Sequence, residues 1–294
     1  KLEELASILG VQPRQCIAVS GSTEAINTYI KSFLFNGSER KTFVSAENEH
    51  PATLKTLKWM EDYGFETKLG LLNPYGSVTE DSLIELLSPE VACVVVSLVN
   101  GETGQIMDIK PIATRCKDLG IRLFLDATQA VGKFNLSDAV ALADGFCFST
   151  SKIGAGPGAG FLVLLDDFQL SPLLAGGGHQ SGLRSGTLNL PALLTTVTAL
   201  KELMKLTPPS LREILAFMKA EFKAEFELCP VEVVFDNPWI QLVQSPLDES
   251  KIHRHAPWLG LSSGTACSSA SLQKPSSYSL CNKCRKISLC KRIT

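Results

Sequence analysis

Over the first two hundred residues, short apolar runs alternate with stretches in which apolar residues recur three and four positions apart. The runs at 16–19, 42–45, 94–99, 122–125, 145–148 and 160–165 read as strands, and the periodic stretches at 23–35, 52–63, 80–87 and 111–119 read as helices. Strands alternating with helices predict βαβ units, hence a mostly parallel sheet with helices on both faces. In such sheets ligands collect at the carboxyl ends of the strands, in the loops that lead into the next helix.

The texture changes after a Gly-rich segment at 176–186. A long helical pattern at 191–206 is stopped by Pro208 and Pro209, a second follows at 211–228, and 231–235 is strand-like. The expected organisation is therefore a large α/β domain over 1–206 and a smaller α+β domain over 207–294.

Composition narrows the class of protein. Hydrophobic residues make up 45% of the 294 and charged residues 20%, with 28 Lys+Arg against 30 Asp+Glu, which excludes a disordered chain and a general nucleic-acid surface. The longest strongly apolar run, 91–99, is far shorter than the roughly 20 residues that span a bilayer, and the opening Lys-Leu-Glu-Glu is no signal peptide. A soluble, cytoplasmic chain is expected, with neither membrane nor nucleic acid as a direct partner. Nine cysteines are an odd number in a chain too long for a disulfide scaffold. Cys16, Cys93 and Cys147 lie in apolar runs and read as small buried hydrophobes. Cys281, Cys284 and Cys290 contain a single CxxC with no histidine nearby, so no metal site is expected.

Three polar stretches interrupt the apolar pattern where chemistry is expected. Ser20-Gly21-Ser22-Thr23-Glu24-Ala25 follows a strand and opens a helix; its small residues, hydroxyls and free N–H groups suit a phosphate, although they also suit an ordinary helix cap. Asp126 follows the apolar strand 122–125, where a carboxylate is costly unless it caps a helix or meets a cation. Lys152, in Ser149-Thr150-Ser151-Lys152, precedes a Gly-rich turn; such a lysine is either solvated or a Schiff-base former. In this order on a parallel sheet, the three match what pyridoxal phosphate requires. An acid keeps the pyridine nitrogen protonated, a lysine holds the aldehyde, and a helix end holds the phosphate.

The sequence resembles the cysteine desulfurases, the NifS/IscS-like branch of the class V pyridoxal-phosphate enzymes. The resemblance rests on SGSTEAIN (20–27), ENEHPATL (47–54), VNGETGQI (99–106), LDATQAVGK (125–133), STSKIGAGPGAG (149–160), GGGHQSGLRSGTLN (176–189) and SSGTACSSAS (262–271), in family order. It implies a fold-type I transferase whose smaller C-terminal domain is incomplete. By this resemblance Lys152 is the Schiff-base lysine, Asp126 the partner of the pyridine nitrogen and Gln129 that of the ring hydroxyl. His50 would stack on the ring and move protons. Ser22, Thr23, Ser149 and Ser151 would bind the phosphate, with Thr187 reaching the phosphate of the other subunit in a homodimer. Cys267, set among Ser262, Ser263, Gly264, Thr265, Ser268 and Ser269, would accept sulfur, because a polar, accessible loop lets a thiol become a thiolate.

The implied reaction converts L-cysteine to L-alanine, leaves a persulfide on Cys267, and passes the sulfur to an iron–sulfur scaffold or a tRNA-thiolation relay. Selenocysteine lyases share almost every one of these residues, and a shortened, non-catalytic paralogue that acts as an interaction protein is the other alternative. The chain departs from the family at Gly101, where a second asparagine is usual, and at Ser151, where a histidine is usual. Both ends are shorter than in the family, and Arg285 or Lys286 is expected to take the place of the arginine that binds the substrate carboxylate.

Overall fold

The computed structural model describes residues 1–73, 76–206, 237–244, 261–262 and 286–290, with Glu213, Ala216 and Ala220. These fall into two compact units. One is built from Lys1–Leu71, Val78–Val99 and Met107–Met204; the other combines Leu72–Ser77 and Asn100–Ile106 with residues from Lys205 onward.

The first unit is a seven-stranded sheet of β1 (Cys16–Val19), β2 (Thr42–Ala46), β3 (Glu66–Gly70), β4 (Val91–Ser97), β5 (Arg122–Asp126), β6 (Gly145–Ser149) and β7 (Gly160–Leu164), in the order β1-β7-β6-β5-β4-β2-β3. Strands β3, β2, β4, β5 and β6 pair parallel, whereas β7 runs antiparallel to both its neighbours, β1 and β6. The sheet is mostly parallel, as the sequence predicts. Every residue of β1, β2 and β7 is buried, so both faces are covered.

Helices α1 (Leu2–Leu9), α2 (Ser22–Lys31), α3 (Pro51–Glu61), α4 (Glu80–Ile84), α5 (Ile109–Leu119), α6 (Ser137–Leu142) and α7 (Leu190–Leu203) connect the strands and carry local stop and start signals. His50, Thr79, Asp108 and Asn189 cap the N-termini of α3, α4, α5 and α7 with side-chain acceptors, and Gly10 and Gly120 end α1 and α5 in the left-handed conformation. The packing under α2 and α3 is aromatic: the Tyr29 ring stacks on Phe124 at 4.0 Å and on Phe168 at 4.5 Å, and Phe33 meets Phe43 edge-on.

The six expected strands are all present, β4 beginning three residues earlier. Three elements of this unit, α1, β3 and α6, were not among those expected. Glu-Thr-Lys-Leu-Gly in β3 is polar because it forms the sheet edge and is only partly covered, so pairing with β2 rather than its own pattern makes it a strand. Cys16, Cys93 and Cys147 are buried and free, as is Cys116. Among the described residues no helix is long and apolar enough to cross a membrane.

In the second unit, β8 (Ile240–Gln244), β9 (Leu261–Ser262) and β10 (Lys286–Cys290) form an antiparallel sheet in the order β8-β10-β9. Asn237 Nδ2 donates to the Gly104 carbonyl at 2.9 Å, and a Cβ on Gly104 would stand 2.4 Å from the Ile240 carbonyl oxygen. Gly101 lies in a turn of this unit that Asn100 closes by accepting from the Glu102 and Thr103 N–H groups. The expected strand 231–235 and most of the expected helix 211–228 lie outside the described residues.

Candidate active site

The carboxyl ends of β1, β2, β4, β5 and β6 lie at one end of the seven-stranded sheet, because β1 and β6 both oppose β7 and the others run parallel to β6. Gly160 lets two of the loops there close on each other. It pairs with Val19 of β1 on one side and Ser149 of β6 on the other. A Cβ at this position would lie 2.6 Å from the Phe148 carbonyl oxygen and 2.7 Å from Gly21 Cα, closer than real Cβ contacts. With hydrogen there instead, the turn that opens α2 meets the turn that follows β6. Ser149 Oγ stands 3.2 Å from Ser151 Oγ and beside Gly21, while Ser22 and Thr23 occupy the first turn of α2 with its unpaired N–H groups. Hydroxyls and helix N–H groups together make an anion cradle.

Asp126 ends β5 and is 6% exposed. Its register neighbours are Ser97 of β4 and Cys147 of β6. Oδ1 accepts the Thr128 N–H at 2.9 Å, and the Cys147 thiol approaches to 3.9 Å. Among the described residues Asp126 has no ion-pair partner, and the buried Thr128 hydroxyl beside it has no hydrogen-bond partner. A buried carboxylate left without a cation is costly, so this strand end is built to receive a positively charged group. A protonated pyridine nitrogen meets that requirement, and the residues fit pyridoxal phosphate.

Lys152 is half-buried at the end of the single 3-10 turn Thr150–Lys152 that follows β6. Thr150 fixes this turn: its buried hydroxyl reaches the carbonyls of Gly156 at 2.5 Å and Ala159 at 2.9 Å. His50 caps α3, and its Nδ1 accepts the Ala52 N–H at 3.0 Å. Nδ1 therefore carries no proton, and the neutral ring has its N–H at Nε2. Burial holds the imidazole below the usual histidine range; the Asp126 charge opposes this and the Lys152 charge adds to it, so the three groups lie within one another's fields.

Sequence reasoning passed over Glu49 and Ser97. Glu49 is buried, Oε1 accepting the Ser97 N–H at 2.7 Å and Oε2 the Ser97 hydroxyl at 2.5 Å. Burial pushes the Glu49 carboxyl up to about 7; the Ser97 hydrogen bonds pull it down and the Asp126 charge adds to the rise. The one available signal was an acidic residue directly before His50, in the turn that follows an apolar strand.

Gln129 is half-buried and its Oε1 accepts from Lys133 Nζ at 2.8 Å. Thr187 is exposed, one residue beyond Gly186. Cys267 and Arg285 lie outside the described residues, and of Lys286 the structure describes the backbone, at the start of β10.

The profile of the aminotransferase class-V family matches residues 2–223, and the chain belongs to that family. Within it the chain is similar to cysteine desulfurases. It is 32% identical over 192 residues to a cysteine desulfurase of Nostoc sp., covering 65% of this chain and 48% of the relative. Against the cysteine desulfurase IscS of Haemophilus ducreyi it is 29% identical over 285 residues, covering 92% of this chain and 69% of the relative. The chain thus spans about half the length of the first of these. Among solved structures, a NifS-like protein superposes with a TM-score of 0.82 at 22% identity, over 99% of this chain and 80% of its own. A structure described as SspA in complex with cysteine gives 0.79 at 21% identity, over 98% and 84%. These likenesses establish the fold as that of the NifS-like enzymes.

Proposed function

We propose that the protein is a pyridoxal-phosphate-dependent cysteine desulfurase, which converts L-cysteine to L-alanine and retains the sulfur as a persulfide on Cys267. The observation that carries this is Asp126, a buried carboxylate without an ion-pair partner among the described residues, in the same electrostatic neighbourhood as Lys152 and His50. Similarity to cysteine desulfurases supports the choice of substrate.

The chemistry a bound pyridoxal phosphate supplies is a sink for the electron pair released at the substrate Cα. The chain does the rest. Asp126 would keep a proton on the pyridine nitrogen, Lys152 Nζ would hold the group through its aldehyde carbon with loss of water, and Ser22, Thr23, Ser149 and Ser151 with the first N–H groups of α2 would hold the phosphate. His50, with its N–H at Nε2, would pack against the ring as a donor. Gln129, now accepting from Lys133, would meet the ring hydroxyl. The Cys267 thiolate attacks the substrate sulfur, forming the S–S bond as the Cβ–S bond breaks, and protons returned to carbon complete alanine.

Arg285 or Lys286 meets the substrate carboxylate, Arg as a two-pronged fork and Lys as a point charge. The protein works as a homodimer in the cytoplasm, with Thr187 reaching the partner's phosphate site, and it passes sulfur to an iron–sulfur scaffold or a tRNA-thiolation relay. The test is to supply the full chain with pyridoxal phosphate and L-cysteine and to measure alanine and protein persulfide. Both should form in equal amounts before an acceptor is added. Alanine from selenocysteine alone would make the protein a selenocysteine lyase, and alanine from neither would leave a non-catalytic paralogue. Sedimentation showing only monomer at micromolar concentration would remove the shared phosphate site.

A further inference from the structure

Glu49 is a buried acid that the reaction above does not use. It stands in the turn between β2 and α3, immediately before His50; its two oxygens grip Ser97, and the His50 main-chain N–H adds a further hydrogen bond to the carboxyl. Ser97 is the last residue of β4 and the register partner of Asp126, and the next residue, Leu98, donates its N–H to the Asp126 carbonyl at 3.0 Å. The carboxyl therefore fastens the turn that carries His50 to the strand end that borders Asp126. A neutral side chain would fasten a turn at lower cost, since a second buried carboxylate beside Asp126 adds like-charge repulsion. A carboxyl has two oxygens spaced to take the main-chain N–H and the side-chain O–H of one residue separately, a span that a single hydroxyl oxygen lacks.

We propose that Glu49 is a positioning residue for His50, its two-pronged grip on Ser97 setting where the imidazole stands relative to Asp126 and Lys152. The grip survives protonation. The Ser97 N–H still donates to Oε1, while a protonated Oε2 donates to the Ser97 hydroxyl instead of accepting from it. Glutamine has the same shape and can imitate this second arrangement, with its carbonyl on the Ser97 N–H and its NH2 on the Ser97 oxygen. The charged groups around the pair are Asp126 from β5 and Lys152 from the turn after β6, with the Cys147 thiol from β6. The inference rests on reading His50, Asp126 and Lys152 as one site, but its geometry belongs to the chain itself.

The test is the pH titration of the His50 ring in the full chain without pyridoxal phosphate, followed by nitrogen and carbon NMR and assigned with His50→Gln. The answer is then the same whether or not the protein takes up the cofactor, so failure of the desulfurase reading and failure of this inference are separate results. In the wild type the ring should titrate below the ordinary range and show the Nε2–H form when neutral. Glu49→Ala should raise the midpoint toward the roughly 6.5 of an exposed imidazole and mix the two neutral forms. Glu49→Gln should restore the wild-type ring signals. Ser97→Ala, which removes one prong and keeps the N–H, should shift the midpoint in the same direction by less, and it serves if Glu49→Ala does not fold. Unchanged His50 signals in Glu49→Ala, or in Ser97→Ala where the alanine at 49 is unfolded, would overturn the inference, as would a glutamine variant that behaves like the alanine one.

Discussion

Arg184 closes a two-pronged ion pair on Glu24, Nε to Oε1 at 2.8 Å and Nη2 to Oε2 at 3.2 Å, with side-chain exposures of only 13% and 8%. The pair ties the Gly-rich segment 176–186 to the first turn of α2, next to Thr23. Glu24 Oε2 also accepts the Ser20 N–H at 2.7 Å. A second fastening lies close by. The Gln180 side chain pairs with the backbone of edge strand β1 as a neighbouring strand would, accepting the Ala18 N–H at 2.7 Å and donating to the Ala18 carbonyl at 2.9 Å. Gln180 and Ser181 hold positive φ angles of 52° and 58° to make this reach.

Arg184→Ala should cost about 2 kcal/mol, because it leaves a half-buried carboxylate without its partner, and urea unfolding measures this. Arg184→Lys should recover only part, lacking the fork. Burial alone would raise the Glu24 carboxyl, but Arg184 and Ser20 carry it below the usual range. This stabilisation is therefore complete above the unfolded carboxyl's range and is lost as pH falls through the lower folded value. Acid unfolding of the arginine variant should lack that step.

Gly160→Ala should lower stability by about 2 kcal/mol or more, since the new methyl meets the Phe148 carbonyl and the Gly21 backbone, neither of which can swing aside. The same collision pries the α2 turn away from Ser149. Affinity for inorganic phosphate or pyridoxal phosphate, measured by calorimetry, should fall together with stability, whereas a variant that loses stability alone would separate the glycine from the cradle.

Glu49→Gln should change how stability depends on pH. The folded carboxyl at about 7 lies above its ordinary value of 4.5, so the native state binds the extra proton. Its contribution is full below the ordinary value and is lost as pH rises through the folded one. The whole swing is on the order of 3 kcal/mol. Thermal unfolding of wild type and glutamine variant at a series of pH values should show the wild type losing ground over this window. Parallel curves would contradict a buried, proton-holding Glu49.

Borohydride reduction of the chain saturated with pyridoxal phosphate, followed by peptide mapping, should place the cofactor on Lys152. Cys267→Ser should abolish sulfur transfer from L-cysteine while leaving the visible absorption of the loaded protein unchanged, since only a thiolate accepts the sulfur. Adduct formation at another lysine would overturn the assignment of Lys152, and alanine production by the serine variant would overturn that of Cys267.

Candidate residues stood out in the sequence because residue type limits chemistry. A carboxylate after an apolar strand and a lysine before a glycine run are rare enough in such places to stand out. Glu49 did not stand out, since its partner Ser97 is 48 residues away and both residues are common in turns. Arg184 and Glu24, 160 residues apart, were hidden for the same reason. Gln129 was singled out in the sequence as a candidate, whereas its bond to Lys133 was not.

The information that could be read along the chain is local. Apolar runs and three-to-four spacing fixed the strands that carry the core and the helices between them, and the acceptors and glycines at the helix ends fixed where several begin and stop, because burial of one face and satisfaction of end groups act within a few residues. Which strands are neighbours was set by the fold as a whole. It put β7 between β1 and β6 against their direction, made a strand of polar β3, and brought Gly160 against Gly21 so that two loops meet. Pairing energies depend on residues far apart in the chain and on what else is buried with them, and no local pattern carries that information.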